Sequence, residues 1–437
     1  MSRFRKTVTR SFLPKKIDIR EMPVYQYVPD SGLKVHDRIY TWGLAATGAL
    51  GFPALLDPKI GKQRDLWPSP RKMRFFHSFK IRDVACGYGF TVFAANHSST
   101  SFSLFGTGIN TNNQLGCQLD VVKDASLAVV TAPSPIRIPQ LFRDCKFTQV
   151  ACGRCHTVVL SDHRDGAVFS MGNNSFGQCG RPIVSDEVQQ RHLPIIEEIK
   201  NIEGKIAKIV CGQDHTLFLT ENGQVYACGM GSDGQTGLGH YKNTGIPELV
   251  KGDIEGEKIV DISSSVDATL ACNDKGDLFG WGNSEYLQFN SVTDDCQLNI
   301  PRRLPISEGK VIKVAAGGTA CGFVNDKGQV FVWGYGMLGQ GPKVEYLKKP
   351  SLIPDPLFGK NEVTPDIHVT NLYASTGHWA AINNKGELFT WGKNRNGVLG
   401  LPDKRDRFFP FRVILPIFVK KVSLGPDHSA LIGRSLV

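Results

Sequence analysis

Residues 206–239 read IAKIVCGQDHTLFLTENGQVYACGMGSDGQTGLG, and this stretch decides the fold of the chain. It contains two short apolar runs around a Cys-Gly turn, a third run after Glu-Asn-Gly, and a glycine-rich end. Alternating apolar residues bounded by Gly, Asn and Asp are typical of antiparallel strands joined by hairpins. The stretch therefore predicts three strands and the turns between them.

The same order of elements recurs along the chain. Copies of the first strand pair occur at 147–160, 311–324 and 369–382. Seven third-strand markers, each followed by glycine and spaced 52 to 65 residues apart, are Trp42, Thr107, Met171, Cys228, Trp281, Trp333 and Trp391. A period of this size identifies repeated supersecondary units. Helical periodicity is nowhere sustained, so we predict an all-β chain.

The two ends of the chain predict how the repeats are arranged. The first copy begins halfway, at RIYTWG (38–43), and the last stops halfway, at VKKVSLGPDHSALI (419–432). Each half supplies the strands that the other lacks, and pairing them removes two exposed sheet edges. We therefore predict a seven-bladed β-propeller over 38–434, closed by pairing of the N- and C-terminal half-repeats.

Composition limits the class of protein. The chain has 437 residues, a formal net charge of +10 and 41% hydrophobic residues. No stretch approaches the roughly 18 apolar residues of a membrane-spanning helix, so we expect no transmembrane segment. Several of the eleven cysteines, including Cys86, Cys152 and Cys211, lie at equivalent repeat positions beside glycine. We interpret them as small buried residues in a reducing compartment rather than as a disulfide framework.

The N-terminal segment is strongly basic. Residues 1–20 contain seven Lys or Arg and a single acid, Asp18, for a local charge of +6, together with several Ser and Thr. This composition predicts a mitochondrial presequence in residues 1–22 and a location in the mitochondrial matrix. The alternative is a basic arm that binds nucleic acid or stays solvated.

Two motifs imitate cofactor sites. Cys152-Gly-Arg-Cys155-His156 matches a haem attachment signature, but His156 occupies a repeat position that other copies fill with His, Phe or Ala. Such a position belongs to a core. The run 229–234, GMGSDG, matches a dinucleotide fingerprint that acts only between a strand and a helix. Here it falls in a turn between repeats.

The repeat histidines also suggest a metal site, but they lie on separate blades. These residues are His156, His215, His378 and His428. Zinc needs three or four ligands at about 2.0–2.3 Å from one point, so we interpret the histidines as buried structural residues. We expect no metal, no cofactor and no catalytic centre.

The repeat pattern, a CGxxHT strand pair followed by VYxWG and NxxGQLG, resembles that of the regulator-of-chromosome-condensation family. The resemblance covers about 40–434, and runs such as MGNNSFGQCGR (171–181) and VFVWGYGMLG (330–339) are similar to a mitochondrial member. It implies a guanine-nucleotide exchange factor for the dynamin-related GTPase of inner-membrane fusion, peripheral at that membrane. The other implied role is support of mitochondrial large-subunit ribosomal RNA, together with pseudouridine-forming enzymes and assembly factors.

The residue before each repeat histidine position is the first candidate site. In the family, acids and histidines at these turns face the GTPase, and the matching acids here are Asp214, Asp267 and Asp427. The equivalent positions in other copies are not acidic. An exchange factor needs only better affinity for the nucleotide-free state, and a carboxylate can disturb a phosphate or magnesium site. Alternatively, the three acids stabilise their turns by accepting hydrogen bonds from backbone amides.

The first insertion, 59–82, is the second candidate site. It carries eight basic residues against one acid, with aromatic residues interleaved. Cations neutralise phosphates and rings stack on unpaired bases, so the stretch predicts an RNA contact. The alternative is a loop whose aromatic residues pack on the propeller while its charges stay solvated. The candidate residues are Lys59, Lys62, Arg64, Trp67, Arg71, Lys72, Arg74, Phe75 and Phe76.

Overall fold

The computed structural model describes residues 36–56, 64–120, 125–138, 145–162, 166–184 and 196–435. Within them lie seven four-stranded antiparallel sheets, a two-stranded ladder of Leu119–Asp120 with Ala125–Ser126, and the 3-10 turns Pro53–Leu55 and Asp355–Phe358. The predicted all-β, seven-bladed propeller is confirmed. The predicted arm of residues 1–22 lies outside the described residues, as do Lys59 and Lys62.

The blades are numbered from the N-terminus, and the strands of each follow in chain order. Blade 2 contains Lys80–Cys86, Phe90–Asn96, Leu104–Ile109 and Val129–Pro135. Blade 3 contains Phe147–Cys152, His156–Ser161, Val168–Gly172 and Glu197–Ile199. Blade 4 contains Ile206–Cys211, His215–Thr220, Val225–Gly229 and Thr244–Leu249. Blade 5 contains Ile259–Ser264, Ala268–Asn273, Leu278–Asn283 and Gln297–Leu304. Blade 6 contains Val311–Ala316, Ala320–Asn325, Val330–Tyr335 and Tyr346–Ile353. Blade 7 contains Val369–Ala374, His378–Asn383, Leu388–Gly392 and Arg407–Val413.

Blade 1 joins the two ends of the chain. Its strands, from rim to axis, are Leu66–Lys72, Asp37–Leu44, His428–Ser435 and Ile417–Leu424. The second and third of these pair continuously, from Asp37 opposite Arg434 to Gly43 opposite His428. The predicted closure by terminal half-repeats is therefore confirmed.

The Asn-x-x-Gly-Gln turns of the repeat are held by their own side chains. In blade 3, Asn174 Oδ1 accepts a hydrogen bond from the Cys179 amide (3.0 Å), and Gln178 Oε1 accepts one from the Phe176 amide (2.9 Å). Gly177 has a φ of +87°, and a Cβ there would lie 2.5 Å from the backbone of the next blade. Only glycine fits this conformation and this approach.

The same turns join neighbouring blades. The Gln178 carbonyl accepts a hydrogen bond from Thr216 Oγ1 of blade 4 (2.7 Å). Trp42 of blade 1 donates its indole N–H to the Val398 carbonyl of blade 7 (2.7 Å), and Trp281 makes the equivalent bond between blades 5 and 4. Because buried carbonyls need a partner, the repeat signature fixes the turn and the blade interface together.

The innermost strands, which come first in chain order in blades 2 to 7 and are Ile417–Leu424 in blade 1, surround the axis and a cavity of about 600 Å³. Asp83 and Asp261 lie at equivalent positions in blades 2 and 5, and each carboxylate accepts a hydrogen bond from a backbone amide of the next blade. Each also forms an ion pair with a lysine of the preceding blade, Lys421 and Lys208 respectively. The buried acids are tolerated because they are both paired and hydrogen-bonded.

The cysteines and histidines of the repeat agree with the sequence interpretation. All eleven cysteines are free thiols; Cys86 and Cys211 are buried, whereas Cys152 is half-buried. His156, His215 and His428 are 0% exposed and His378 is 2% exposed, as expected for core positions. The glycine-rich run 229–234 ends a strand and enters a turn, with no helix after it. No helix in the described part of the chain is long and apolar enough to cross a bilayer.

The indole bond at the ring closure gives a test of the fold. Trp42 and Trp391 are both fully buried, but Trp391 Nε1 has no hydrogen-bond partner among the described residues. Trp42→Phe removes one of the two hydrogen bonds that the Val398 carbonyl accepts, the other coming from Ser429 Oγ (3.0 Å). It should therefore lower the free energy of unfolding by about 0.5–1.5 kcal/mol more than Trp391→Phe. Urea denaturation measures both, and the similar loss of ring volume makes them a matched pair. Equal losses would contradict the proposed closure contact.

Candidate functional site

The turns between the two innermost strands of each blade all lie at one end of the propeller, which we call the turn face. Asp214, Asp267 and Asp427 lie on it, in blades 4, 5 and 1. The residues of the turn face are 87–89, 153–155, 212–214, 265–267, 317–319, 375–377 and 425–427.

Tyr88 of blade 2 lies within electrostatic range of all three carboxylates. Its hydroxyl donates to Gln213 Oε1 of blade 4 (3.4 Å), so the side chain reaches two blades away. Burial raises the pKa of Tyr88 to about 12, and the charges of Asp267, Asp214 and Asp427 act in the same direction. The structure therefore brings together the three acids that the sequence singles out.

Asp214 is neutralised by an arginine of the neighbouring blade. Arg154 Nε donates to Asp214 Oδ1 (3.2 Å), and Nη2 lies 2.5 Å from Oδ2, a two-point contact between guanidinium and carboxylate. The Asp214 residue is 3% exposed. Burial raises its pKa, while Arg154 acts against that rise. The ion pair with Arg154 neutralises the charge of Asp214, so the main role of Asp214 is to connect blade 4 to blade 3.

Asp427 is also engaged, by the histidine that follows it. Its Oδ1 accepts from His428 Nδ1 (2.8 Å) and from the Gly89 amide of blade 2 (3.3 Å). The hydrogen bond from the Gly89 amide agrees with the alternative interpretation, in which these acids stabilise turns. Asp427 therefore links the closing blade to blade 2.

The hydrogen bonds of His428 indicate a charged ring. The Thr91 hydroxyl donates to the Ala49 carbonyl (2.8 Å), so its oxygen is left to accept from His428 Nε2 (2.7 Å). Nδ1 faces the Asp427 carboxylate, and a ring that donates through both nitrogens is an imidazolium. Burial by itself lowers the pKa of His428, but Cys86 and Asp427 together raise it above its ordinary value.

The equivalent histidines of blades 3 and 4 are neutral by comparison. Each has one ring nitrogen bonded to a hydroxyl of the next blade, while Nδ1 has no hydrogen-bond partner in the described structure. Burial lowers the pKa of both His156 and His215 to about 3. What differs is the partner of the preceding acid: Asp427 accepts a hydrogen bond from His428 Nδ1, whereas Asp214, which precedes His215, is paired with Arg154 instead.

Asp267 is the acid that the fold leaves unpaired. It is half-buried, its Oδ1 accepts from Gln235 Nε2 (3.2 Å), and no ion pair joins it to a described residue. Burial, together with the charges of Asp233 and Asp214, raises its pKa to about 6. Asp267 is therefore held in an unfavourable environment at neutral pH, and unlike Asp214 it has no ion pair with a described residue to offset this. Such perturbed groups are candidates for a functional site.

The basic stretch is divided among several elements rather than forming one loop. Leu66–Lys72 is the rim strand of blade 1, and Lys80 begins the first strand of blade 2. The guanidinium of Arg71 lies over the rings of Trp67 (4.7 Å) and Phe52 (4.6 Å), and that of Arg64 lies over Trp67 (5.0 Å). These cations remain at the surface, stacked on rings.

The two phenylalanines among the candidate residues, Phe75 and Phe76, have different environments. Phe76 is 1% exposed and packs against Phe93 and Phe105, so it belongs to the core between blades 1 and 2. In this position it cannot stack on a base, and the packing alternative applies to it. Phe75 is 46% exposed, although it contacts Phe76 and Phe79. Lys72 and Arg74 are exposed.

Comparison with known proteins agrees with this geometry. A model of the RCC1-like domain matches residues 38–431. The chain belongs to the RCC1-like domain family. It is similar to the RCC1-like G exchanging factor-like proteins of mouse and human, at 44% and 42% identity over 95% of this chain and 91% of each relative.

Two solved structures share the propeller fold. Human WBSCR16 superimposes with a TM-score of 0.85 at 42% identity, over 92% of this chain and 100% of that chain. Yeast RCC1 (Prp20), in a structure with Kap60, has a TM-score of 0.71 at 20% identity and shares the fold. RCC1-like propellers are generally non-catalytic. Among the residues described, no group of three or more His, Cys, Asp or Glu could hold a metal.

Sequence reasoning missed the residues that distinguish the three acids. Arg154 and Tyr88 decide the charge balance of the turn face, and Asp233 and Gln235 surround Asp267. A signal existed for the first two, because they occupy the middle of the same repeat turn. No sequence signal indicated Asp233, since it lies in a different turn of blade 4.

The raised pKa of Asp267 predicts a gain in stability on removing its charge. The folded-state pKa of Asp267 is about 6, above the ordinary 3.8. The ionised carboxylate therefore destabilises the folded state increasingly as the pH rises from about 4 to about 6, and fully above about pH 6. Asp267→Asn should therefore raise the Tm most above about pH 6 and hardly at all below about pH 4. Thermal melts across this range provide the measurement.

Asp274→Asn is the matched control for this measurement. Asp274 is an exposed carboxylate in the hairpin at the other end of blade 5. Its substitution should leave the pH profile of the wild type unchanged. A gain for Asp267→Asn that has the same size at low and neutral pH would argue against an electrostatic origin.

Proposed function

We propose that this propeller is a guanine-nucleotide exchange factor that binds its GTPase through the turn face. The observation that carries the proposal is Asp267, a carboxylate with a raised pKa and no ion-pair partner among the described residues. The relatives named G exchanging factor-like support the same class of activity. The partner that we propose is the dynamin-related GTPase of mitochondrial inner-membrane fusion.

The proposed mechanism requires no chemistry on the propeller. An exchange factor accelerates release by binding the nucleotide-free state of the GTPase better than the loaded state. A P-loop GTPase holds its phosphates with a lysine and with magnesium. A partly desolvated carboxylate that lacks a cation is suited to attract that lysine or compete for that magnesium, because electrostatic interactions strengthen as water is excluded. Asp267 takes this role, while Asp214 and Asp427 hold the surface in shape.

The same proposal places the protein in the mitochondrial matrix, peripheral at the inner membrane. The basic, hydroxyl-rich composition of residues 1–22 supports this location. A fusion of residues 1–22 to a reporter, followed by fractionation of mitochondria, tests whether this segment is sufficient for import.

Release of a fluorescent GDP analogue from the purified GTPase tests the exchange activity. The wild-type propeller should accelerate release, and Asp267→Asn should lower the maximal rate about tenfold, as expected for the loss of one charged contact. Asp274→Asn should behave like the wild type. Full activity of Asp267→Asn would exclude Asp267 from the mechanism, and an inert wild-type protein would refute the exchange function.

A second candidate function, an RNA contact on the outer wall of blade 1, has its own supporting observation. Arg64, Arg71, Lys72 and Arg74 carry positive charge without an ion pair to any described residue. A cleft of about 850 Å³ lies beside them, lined in part by Arg71, Arg74 and Phe75. Stacked guanidinium groups and an exposed ring suit unpaired RNA. The RNA we propose is mitochondrial large-subunit ribosomal RNA, bound together with its pseudouridine-forming and assembly factors.

Crosslinking in mitochondria tests this contact. Replacing Arg71, Lys72 and Arg74 together by Glu should abolish crosslinking to large-subunit ribosomal RNA, because each phosphate contact becomes repulsive. The matched control replaces Lys348 and Lys349, exposed on the rim strand of blade 6, by Glu. Unchanged crosslinking after the triple substitution would remove this wall from consideration.

A further inference from the structure

The turn face also contains an apolar groove between blades 6 and 7. Its volume is about 250 Å³. The side chains that form it are mostly apolar or aromatic, and Lys393 and Glu345 lie exposed at its rim. The lining includes Thr319, Tyr335, Met337, Val344, Trp379 and Phe408.

The groove exists because side chains are missing where the other blades have them. Gly377 occupies the repeat position that Asp267 and Asp427 hold in blades 5 and 1. The three atoms nearest to a Cβ on Gly377 would all belong to the flexible side chain of Lys393, at 3.2 Å or more. A Cβ on Gly336 would meet a single atom, Thr319 Oγ1 at 3.6 Å. The chain thus leaves open space at this part of the face.

Exposed aromatic residues continue from the groove toward blade 5. Tyr335 is 47% exposed, and its ring stacks on that of Tyr286, with centroids 5.9 Å apart and the planes at 28°. Tyr286 is 39% exposed, and Tyr346, opposite Tyr335 in the sheet, is 56% exposed. Aromatic residues beside a pocket are the composition of protein interfaces, and tyrosine is enriched at their energetic centres.

The groove and Asp267 belong to one continuous surface. The Asp267 carbonyl accepts a hydrogen bond from the Asn283 amide (2.8 Å), three residues before Tyr286. Tyr286 then contacts Tyr335, whose amide donates to the Thr319 carbonyl at the groove (2.9 Å). A partner seated on Asp267 therefore reaches the groove across the tyrosine pair.

The volume and chemistry of the groove indicate its occupant. A space of about 250 Å³ lies below the roughly 300–1,000 Å³ of small-molecule sites, but it can accept one bulky apolar side chain of a protein. The neighbouring surface bears the unpaired Asp267, so a cation on the partner is complementary to it. A segment with both features would satisfy the two parts of the face at once.

We infer that the groove between blades 6 and 7 is the anchor for the GTPase, and that it receives a bulky apolar side chain from a segment that also carries a basic residue. This inference rests on the proposed exchange function and divides that function between two places. The groove supplies affinity, because it contacts the partner before and after nucleotide release. Asp267 supplies the preference for the nucleotide-free state.

Filling the groove tests the anchor. Gly377→Leu adds a side chain into the space without forcing the backbone, since Gly377 does not have a positive φ. In the GDP-release assay, the concentration needed for half-maximal acceleration should rise at least about tenfold, as expected for loss of an interface hot spot. The maximal rate at saturation should stay within about twofold of the wild type. Asp267→Asn should show the opposite pattern.

Tyr335→Ala provides a second variant that does not depend on accommodating a larger side chain. It should weaken half-maximal acceleration in the same direction, whereas Tyr241→Ala, a tyrosine 48% exposed outside the groove, should not. Thermal melts confirm that each variant is folded. If the wild type accelerates release and Gly377→Leu and Tyr335→Ala act at unchanged concentration, the anchor is wrong while the exchange function stands. If the wild type is inert, both are refuted.

Discussion

The pairing of Asp37–Leu44 with His428–Ser435 is the contact on which the rest of the structure depends. A row of blades without this contact would expose two sheet edges and would leave the last blade interface unmade. Closure instead gives every blade two neighbours, so that bonds such as Thr216 to the Gln178 carbonyl form between adjacent blades, and Ser429 donates to the Val398 carbonyl at the closing interface. The turns between strands then project from a rigid body, and their side chains keep fixed positions.

Rigidity explains how the turn face can hold an unfavourable charge. Asp214 has Arg154, and Asp427 has His428 and the Gly89 amide. Asp267 has only Gln235 and lies near another acid, Asp233. A flexible loop would move such a carboxylate into water. A turn anchored by two strands cannot make this movement. A partner that brings a cation can therefore relieve the unfavourable electrostatic energy of Asp267.

The turn face and the outer wall of blade 1 are separate surfaces that differ in charge and in polarity. The turn face combines one unpaired acid with an apolar groove, a composition suited to a protein partner. The wall places Arg71 over Trp67 and leaves Lys72 and Arg74 exposed, which suits a polyanion. One rigid ring can present both, so the exchange and RNA proposals do not exclude each other.

The sequence by itself determined the all-β class, the seven blades, the closure by half-repeats and the burial of the repeat histidines. These properties follow from patterns of glycine and apolar residues that recur with each unit, and each repetition strengthens the same prediction. The sequence also selected the three acids, but it could not rank them. That ranking depends on partners far apart in the chain, such as Gly89 and Asp427, 338 residues apart.

Only the tertiary structure decided that Asp267 is the unpaired acid, that Phe76 is buried, and that a groove opens beside Gly377. Residues 66–72 likewise read as part of an insertion and yet form the rim strand of blade 1. In each case the deciding neighbour lies on another blade. Local pattern specifies a blade, whereas the environment of a side chain between blades exists only after the ring has closed.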